Sequence, residues 1–112
     1  MKKEHILKQM RPTRTAITLG GEEVFLSQWM LGDSEKVIEA QKKYADEEIQ
    51  CEDFFAVVAI CSLCDADGNR IFEDADLAEV TKSSAVSLKA IYRAAMELNT
   101  IKVDDPEESE KN

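Results

Sequence analysis

The sequence predicts a single, mainly α-helical domain of about four helices with an N-terminal β-hairpin. Its 112 residues are close to the commonest domain size, which favours one core. Apolar residues recur at helical spacing along residues 34–49 and 85–98, whereas two short alternating runs flank Gly20-Gly21. Apolar residues make up 44% of the chain and charged residues 33%, a mixture typical of globular proteins.

Residues 1–13 are predicted to form a basic N-terminal arm. Four basic side chains stand against one acidic one: Lys2, Lys3, Lys8 and Arg11 against Glu4. The segment is compatible with a short helix or with a mobile arm, and Pro12 disfavours the helical conformation at the residue before it.

Residues 14–29 are predicted to form the hairpin, with Gly20-Gly21 as a two-residue turn that requires positive φ angles. That turn places Leu19 opposite Glu22, Ile17 opposite Val24 and Thr15 opposite Leu26. One sheet face then carries Ile17, Leu19, Val24 and Leu26, and the other carries Ala16, Phe25, Ser27 and Trp29. A lone hairpin is not stable in water, so we expect it to pack on helices or on another chain.

The helices follow from Gly32 onward. Gly32-Asp33-Ser34 offers a cap for an amphipathic helix that runs towards Ile49. Residues 52–64 are apolar nearly all round, which predicts a central buried helix and leaves a buried strand as the alternative. Asp74 can cap a short helix through Leu77 and Val80, and Ser83 or Ser84 can cap a last helix to about Asn99. Together with the arm and hairpin these make one helical domain over residues 1–101, and the charged stretch 102–112 is predicted to be an acidic, disordered tail.

The net charge of −9 argues against nucleic-acid binding, because phosphate backbones repel an acidic surface. The longest apolar run, residues 54–64, is too short to cross a bilayer, so we expect no membrane association. An odd number of cysteines fits free thiols in a reducing compartment, which predicts a cytoplasmic protein. The acidic residues serve solubility, or they complement a basic partner.

Cysteines provide the first candidate for chemistry. Cys61 and Cys64 form a CxxC pair, and Cys51 is a third possible ligand for a metal- or redox-sensing site. A redox CxxC normally opens a helix, whereas this pair closes an apolar one. We therefore favour buried thiols and expect no cofactor and no metal.

The segment Asp65–Asn69 is the second candidate, because its aspartates resemble those of a calcium loop. Glycine stands at loop position four instead of six, where Arg70 lies, and position twelve is Asp76 instead of glutamate. This favours an acidic turn. Since no other arrangement of nucleophile, base or paired carboxylates emerges, we predict that the protein is not an enzyme.

Aromatic side chains are the candidates for partner binding. Phe25 and Trp29 lie on the second face of the predicted hairpin, and Tyr92 lies on the stripe of the last helix. Core packing is the alternative explanation for these rings. If exposed, they would form an interaction surface, since aromatic residues dominate binding hot spots.

The order of elements over residues 54–99 resembles the tail assembly chaperones of long-tailed bacteriophages. The segment begins with an apolar helix and a D-x-x-G-x-x-x-F turn. It continues with an acidic D/L stretch, a K-S-x-x-x-x-L helix start and a final A-x-x-L-N. Here these positions are Asp65, Gly68 and Phe72, then Asp76-Leu77, Lys82-Ser83 and Leu88, then Ala95 and Leu98-Asn99.

The resemblance implies a non-enzymatic assembly factor in the host bacterial cytoplasm. Such proteins coat the tape measure protein, recruit subunits of the major tail tube protein and are absent from the mature virion. Many are also made as a longer form by a programmed frameshift, which here would diverge within residues 102–112. The hairpin edges and the apolar helix make a homo-oligomer a further expectation. The alternative is a small acidic regulatory or anti-repressor-type binding protein.

Overall fold

The described residues form five helices and three strands. A computed structural model describes residues 2–100, so the predicted tail lies outside the described residues. The elements are α1 (Lys3–Met10), β1 (Arg14–Leu19), β2 (Glu22–Ser27), α2 (Leu31–Ala45), α3 (Cys51–Ser62), β3 (Leu63–Cys64), α4 (Leu77–Val80) and α5 (Ala85–Leu98), with a 3-10 turn over Asp74–Asp76 before α4. The mainly α class with an N-terminal hairpin is confirmed; the described residues hold one helix more than expected, because part of the arm is helical.

The hairpin has the predicted register. Gly20 and Gly21 adopt φ angles of +57° and +86°, and Leu19 pairs with Glu22, as the two-residue turn requires. Ile17 lies opposite Val24 and Thr15 opposite Leu26. Leu26 is completely buried (0% exposed), so this face is the one that packs on the helices. The second strand ends at Ser27, two residues before the predicted end of the hairpin.

A third strand is the main departure from the prediction. The central helix ends at Ser62, and Leu63-Cys64 pairs antiparallel with Phe25 and Leu26 to give the strand order β1-β2-β3. The predicted helix to residue 64 is therefore wrong by two residues. Leu63 has extended backbone angles (φ −70°, ψ 131°), since pairing with β2 satisfies these backbone groups once the helix ends.

The core is built around α3, which packs against both α2 and α5. Its start is stabilised by reciprocal capping bonds between Gln50 and Asp53, and most of its remaining residues are buried. The helix assignment therefore replaces the alternative of a buried strand. Ser84 caps α5 by accepting the N–H of Ser87, as one of the two predicted caps.

Both ends of α2 differ from those predicted from the sequence. α2 begins at Leu31, ahead of the expected cap at residues 32–34, and ends at Ala45, short of Ile49. The chain turns away after Ala45, where Glu47 adopts a positive φ of +61°. α1 ends at Met10, and Arg11 is extended, as expected for the residue before Pro12. None of the residues of α1 is buried.

The aspartate-rich segment is a tight turn. Asp65 Oδ1 accepts the backbone N–H groups of Asp67 and Asn69, each at 2.9 Å, and Gly68 adopts φ +89°. These hydrogen bonds favour the carboxylate form and lower the pKa of Asp65. Within residues 2–100, no three side chains of metal-binding type come close enough to hold an ion. The turn brings Arg70 back beside Cys64, so its role is to reverse the chain.

Candidate interaction surface

A groove lies between α2, α3 and the segment that leads into α4. Its volume is about 450 Å³. The apolar lining comes from four segments: Ala40 on α2, Ile49 in the connection, Val57 and Ile60 on α3, and Leu77 on α4. An apolar groove between helices is a common docking site for an amphipathic helix. We call this feature the α2–α3 groove.

Charged side chains form the rim of the α2–α3 groove. Lys36 Nζ lies 3.0 Å from Asp74 Oδ2, and Lys43 Nζ lies 3.2 Å from Glu39 Oε1. The hydrogen bond from Lys36 lowers the pKa of the Asp74 carboxyl. Since these pairs are exposed, they contribute little stability and leave the rim polar.

Arg70 attaches the outer wall of the groove to α3. Its Nε donates to the backbone oxygen of Ile60 at 3.1 Å, close to the C-terminal end of α3, where the helix dipole favours a positive charge. Its Nη2 lies 3.3 Å from Asp74, and its Nη1 lies 3.7 Å from Asp33 on α2. One side chain thus joins α2, α3 and the 3-10 turn, which positions Leu77.

A second feature is an aromatic cluster at the N-terminal end of α3. Phe54, only 4% exposed, lies at its centre, stacked on Tyr44 of α2 with ring centroids 5.8 Å apart and in edge contact with Tyr92 of α5 at 5.7 Å. Phe55 stacks on Tyr92 at 4.4 Å. Tyr44 remains 42% exposed, and a hydrogen bond with Cys51 raises its pKa. The rings therefore join three helices and leave aromatic edges at the surface.

The three residues predicted to bind a partner lie in two places. Phe25 is half-buried on β2, opposite Cys64. Trp29 lies beyond the end of β2, packs against the core and donates its indole Nε1–H to Ser62 Oγ at 2.8 Å. Tyr92 belongs to the aromatic cluster, near the opposite end of α3 from Ser62. The structure therefore does not gather them into one patch, and their role in binding stays a prediction.

Sequence reasoning missed the α2–α3 groove. From the sequence alone, Ala40 and Val57 cannot be told from ordinary core positions, because both are apolar residues within predicted helices. Only the placement of α4 beside α3 shows that these two residues line a groove. The sequence offers one signal for the groove: the predicted helix around Leu77 is short, so it cannot cover the whole of α3.

The environment of the cysteines does not favour thiol reactivity. Cys61 and Cys64 are buried and Cys51 is half-buried, and all three are free thiols. Burial raises the pKa of Cys61 to about 11, so this thiol is protonated at neutral pH and is a poor nucleophile. The Arg70 guanidinium lies 3.8 Å from its sulfur without reversing the effect of burial.

The described part of the chain thus has a mainly α fold around one buried helix, with an N-terminal hairpin and a groove between helices. Among its helices, none is of a length and apolarity that would let it cross a bilayer. No protein-family model matches the chain, and no curated protein matches it by sequence.

A search of solved structures finds a similar fold in the tail assembly chaperone of bacteriophage HK97. The TM-score is 0.63 and the sequence identity 19%, over 91% of this chain and 99% of that chain. The similarity extends through nearly the whole of both chains, and at this identity it is a similarity of fold.

Proposed function

We propose that this protein is a non-enzymatic phage tail assembly chaperone whose α2–α3 groove binds a helical segment of the tape measure protein. The observation that carries the proposal is an apolar groove of about 450 Å³ between helices, in a chain that shares its fold with a tail assembly chaperone. The sequence motifs over residues 54–99 support the same class of protein.

Groove geometry favours a helical partner. Val57 and Ile60 lie one turn apart on α3, and Ala40 faces them from α2, so the apolar floor runs along the helix axes. An amphipathic helix can lay apolar side chains at positions i, i+3 and i+4 along such a floor. The tape measure protein presents long helices according to the family resemblance, so it supplies a partner of this kind.

The exposed ion pairs on the rim favour weak, reversible binding. Lys36–Asp74 and Lys43–Glu39 keep the groove edges hydrated, and small, wet interfaces are typical of transient complexes. A chaperone that leaves the finished tail needs such reversibility. From the family resemblance, the proposal also includes absence from the mature virion, recruitment of the major tail tube protein and residence in the host bacterial cytoplasm. A longer frameshifted form and homo-oligomers of the chain are the remaining proposed partners.

Co-expression with the tape measure protein encoded by the same phage or prophage tests the proposal. The wild-type chain should keep the tape measure protein in the soluble fraction and co-purify with it. Val57→Lys should weaken this at least tenfold, because it introduces an ammonium into the apolar floor, while its stem reaches water and preserves the fold.

Val86→Lys is the matched control, because Val86 is fully solvent-facing on α5 and lies outside the groove. Circular dichroism should show equal helicity for both variants. Equal co-purification by the two variants would contradict binding in the groove, and a wild-type chain that leaves the tape measure protein insoluble would contradict the chaperone function itself.

A further inference from the structure

Strand β1 is the free edge of the sheet. In an antiparallel pair closed by a two-residue turn, alternate residue pairs exchange both backbone hydrogen bonds, beginning with Leu19–Glu22. The bond from the Gln28 N–H to the Thr13 oxygen, at 2.9 Å, continues this alternation. The backbone groups of Arg14, Ala16 and Thr18 consequently point away from β2. Within residues 2–100 these outward groups have no hydrogen-bond partner in the fold.

This edge lacks the features that usually discourage strand pairing. Its sequence, RTAITL, contains no proline and one charged residue, Arg14. That side chain lies across the sheet and not over the edge, because Nη1 of Arg14 is 2.6 Å from the position that a Cβ atom on Gly68 would occupy. Ala16 and Thr18 are exposed and neutral. At the opposite edge, by contrast, β3 covers part of β2, and Glu22 and Glu23 follow the turn.

We propose that β1 pairs antiparallel with β1 of a second copy of this chain, which joins the two three-stranded sheets into one of six strands. The outward backbone groups require Arg14, Ala16 and Thr18 to pair among themselves, and all three find a partner when Ala16 lies opposite Ala16 of the second copy and Arg14 lies opposite Thr18. Like charges are therefore never directly opposite each other. Thr15 lies opposite Ile17, a β-branched pair that is favourable across strands.

A groove beneath the edge supports a second copy as the occupant. It measures about 480 Å³. Its lining is mixed: Thr15 and Ile17 on the inner face of β1, and Ala94, Glu97, Leu98 and Thr100 at the C-terminal end of α5 and just beyond it. A strand added to β1 in the proposed register directs its own Thr15 and Ile17 towards this groove, since the inner faces of the two sheets coincide. The Ile17 side chain and the Thr15 methyl group of the second copy thus cover Ala94 and Leu98, and the Thr15 hydroxyl can bond to the Glu97 carboxylate. This inference gives the contact for the homo-oligomers included in the proposed function, and it does not depend on binding of the tape measure protein in the α2–α3 groove.

Amide hydrogen exchange of the wild-type chain, measured by NMR at about 10 μM and about 1 mM, tests the pairing directly. The amides of Thr15 and Ile17 bond to β2 and should be protected at both concentrations. Those of Ala16 and Thr18 should exchange fast when dilute and at least tenfold more slowly when concentrated. Equal exchange of Ala16 and Thr18 at both concentrations would overturn the proposal.

Sedimentation velocity of two variants provides a second test. Ala16→Pro removes an outward N–H that β2 does not use, so the hairpin keeps its own bonds and the dimer dissociation constant should rise at least tenfold. Ala16→Thr keeps the N–H and is the matched control, with dimerisation retained. A wild-type chain that is monomeric at 1 mM, or dimers unchanged by Ala16→Pro, would overturn the proposal. If Ala16→Pro fails to fold, the exchange measurement on the wild-type chain decides.

Discussion

Replacing Ser62 with alanine tests the hydrogen bond that joins the end of the hairpin to the central helix. Ser62 is only 1% exposed; its Oγ accepts the Trp29 Nε1–H at 2.8 Å and donates to the Val58 oxygen at 2.6 Å. Alanine removes both bonds with little change in volume. The Val58 carbonyl still has its place in the helix, whereas the indole N–H loses its partner.

The expected loss of stability follows from the burial of that N–H. An unsatisfied buried donor costs about 1–3 kcal/mol, and Trp29 is half-buried, so we expect the lower part of this range, about 1–1.5 kcal/mol. Urea unfolding followed by far-ultraviolet circular dichroism measures it. With a urea m-value of about 1.5 kcal/mol/M, the midpoint should fall by about 0.7–1 M.

A double-mutant cycle with Trp29→Phe separates this bond from other effects of the serine. Phenylalanine has no N–H to leave unsatisfied, so Ser62→Ala should cost much less in the Trp29→Phe background, with a coupling energy of about 1 kcal/mol. An equal cost of Ser62→Ala in both backgrounds would refute the reasoning, and so would an unchanged midpoint in the single variant.

Three further expectations concern the turn and the thiols. Gly68→Ala should destabilise the fold by about 1–2 kcal/mol in urea unfolding, because φ is +89° and the added Cβ would meet Arg14; Gly32→Ala, with no atom within 4 Å of its Cβ, should be neutral or stabilising. The lowered pKa of Asp65 contributes stability at neutral pH that is lost as pH falls through the folded-state pKa, so the wild-type melting temperature should drop in acid and Asp65→Asn should reduce that slope. A thiol reagent should modify half-buried Cys51 before Cys61, whose pKa is about 11, as mass spectrometry of time points would show.

Elements with a strong local pattern could be predicted from the sequence. The hairpin register follows from Gly20-Gly21 and from alternation, because a two-residue turn leaves one pairing that keeps Leu26 on the buried face. The start of α5 follows to within one residue from Ser83-Ser84, and the structure selects Ser84 as the cap. In both cases neighbouring residues determine the geometry.

Features that depend on distant segments could not be predicted. Leu63 and Cys64 continue the apolar run of α3, and two residues carry no periodicity, so only the position of β2 reveals that they form a strand. The α2–α3 groove depends in the same way on where Arg70 holds the chain between β3 and α4. Trp29 shows a third case, since its sequence context allowed both a surface ring and the core contact that Ser62 provides.

The two proposed surfaces lie on different parts of the fold, so their perturbations should be independent. The α2–α3 groove is built from α2, α3 and α4, whereas the β1 edge packs against β2 and α5, and the two share no lining residue among those that the structure describes. Substitutions without shared contacts are additive in free energy. The double variant Ala16→Pro/Val57→Lys should therefore lose dimerisation as far as Ala16→Pro does and helix binding as far as Val57→Lys does. Helix binding that also falls in Ala16→Pro alone would show that the groove works only in the paired molecule.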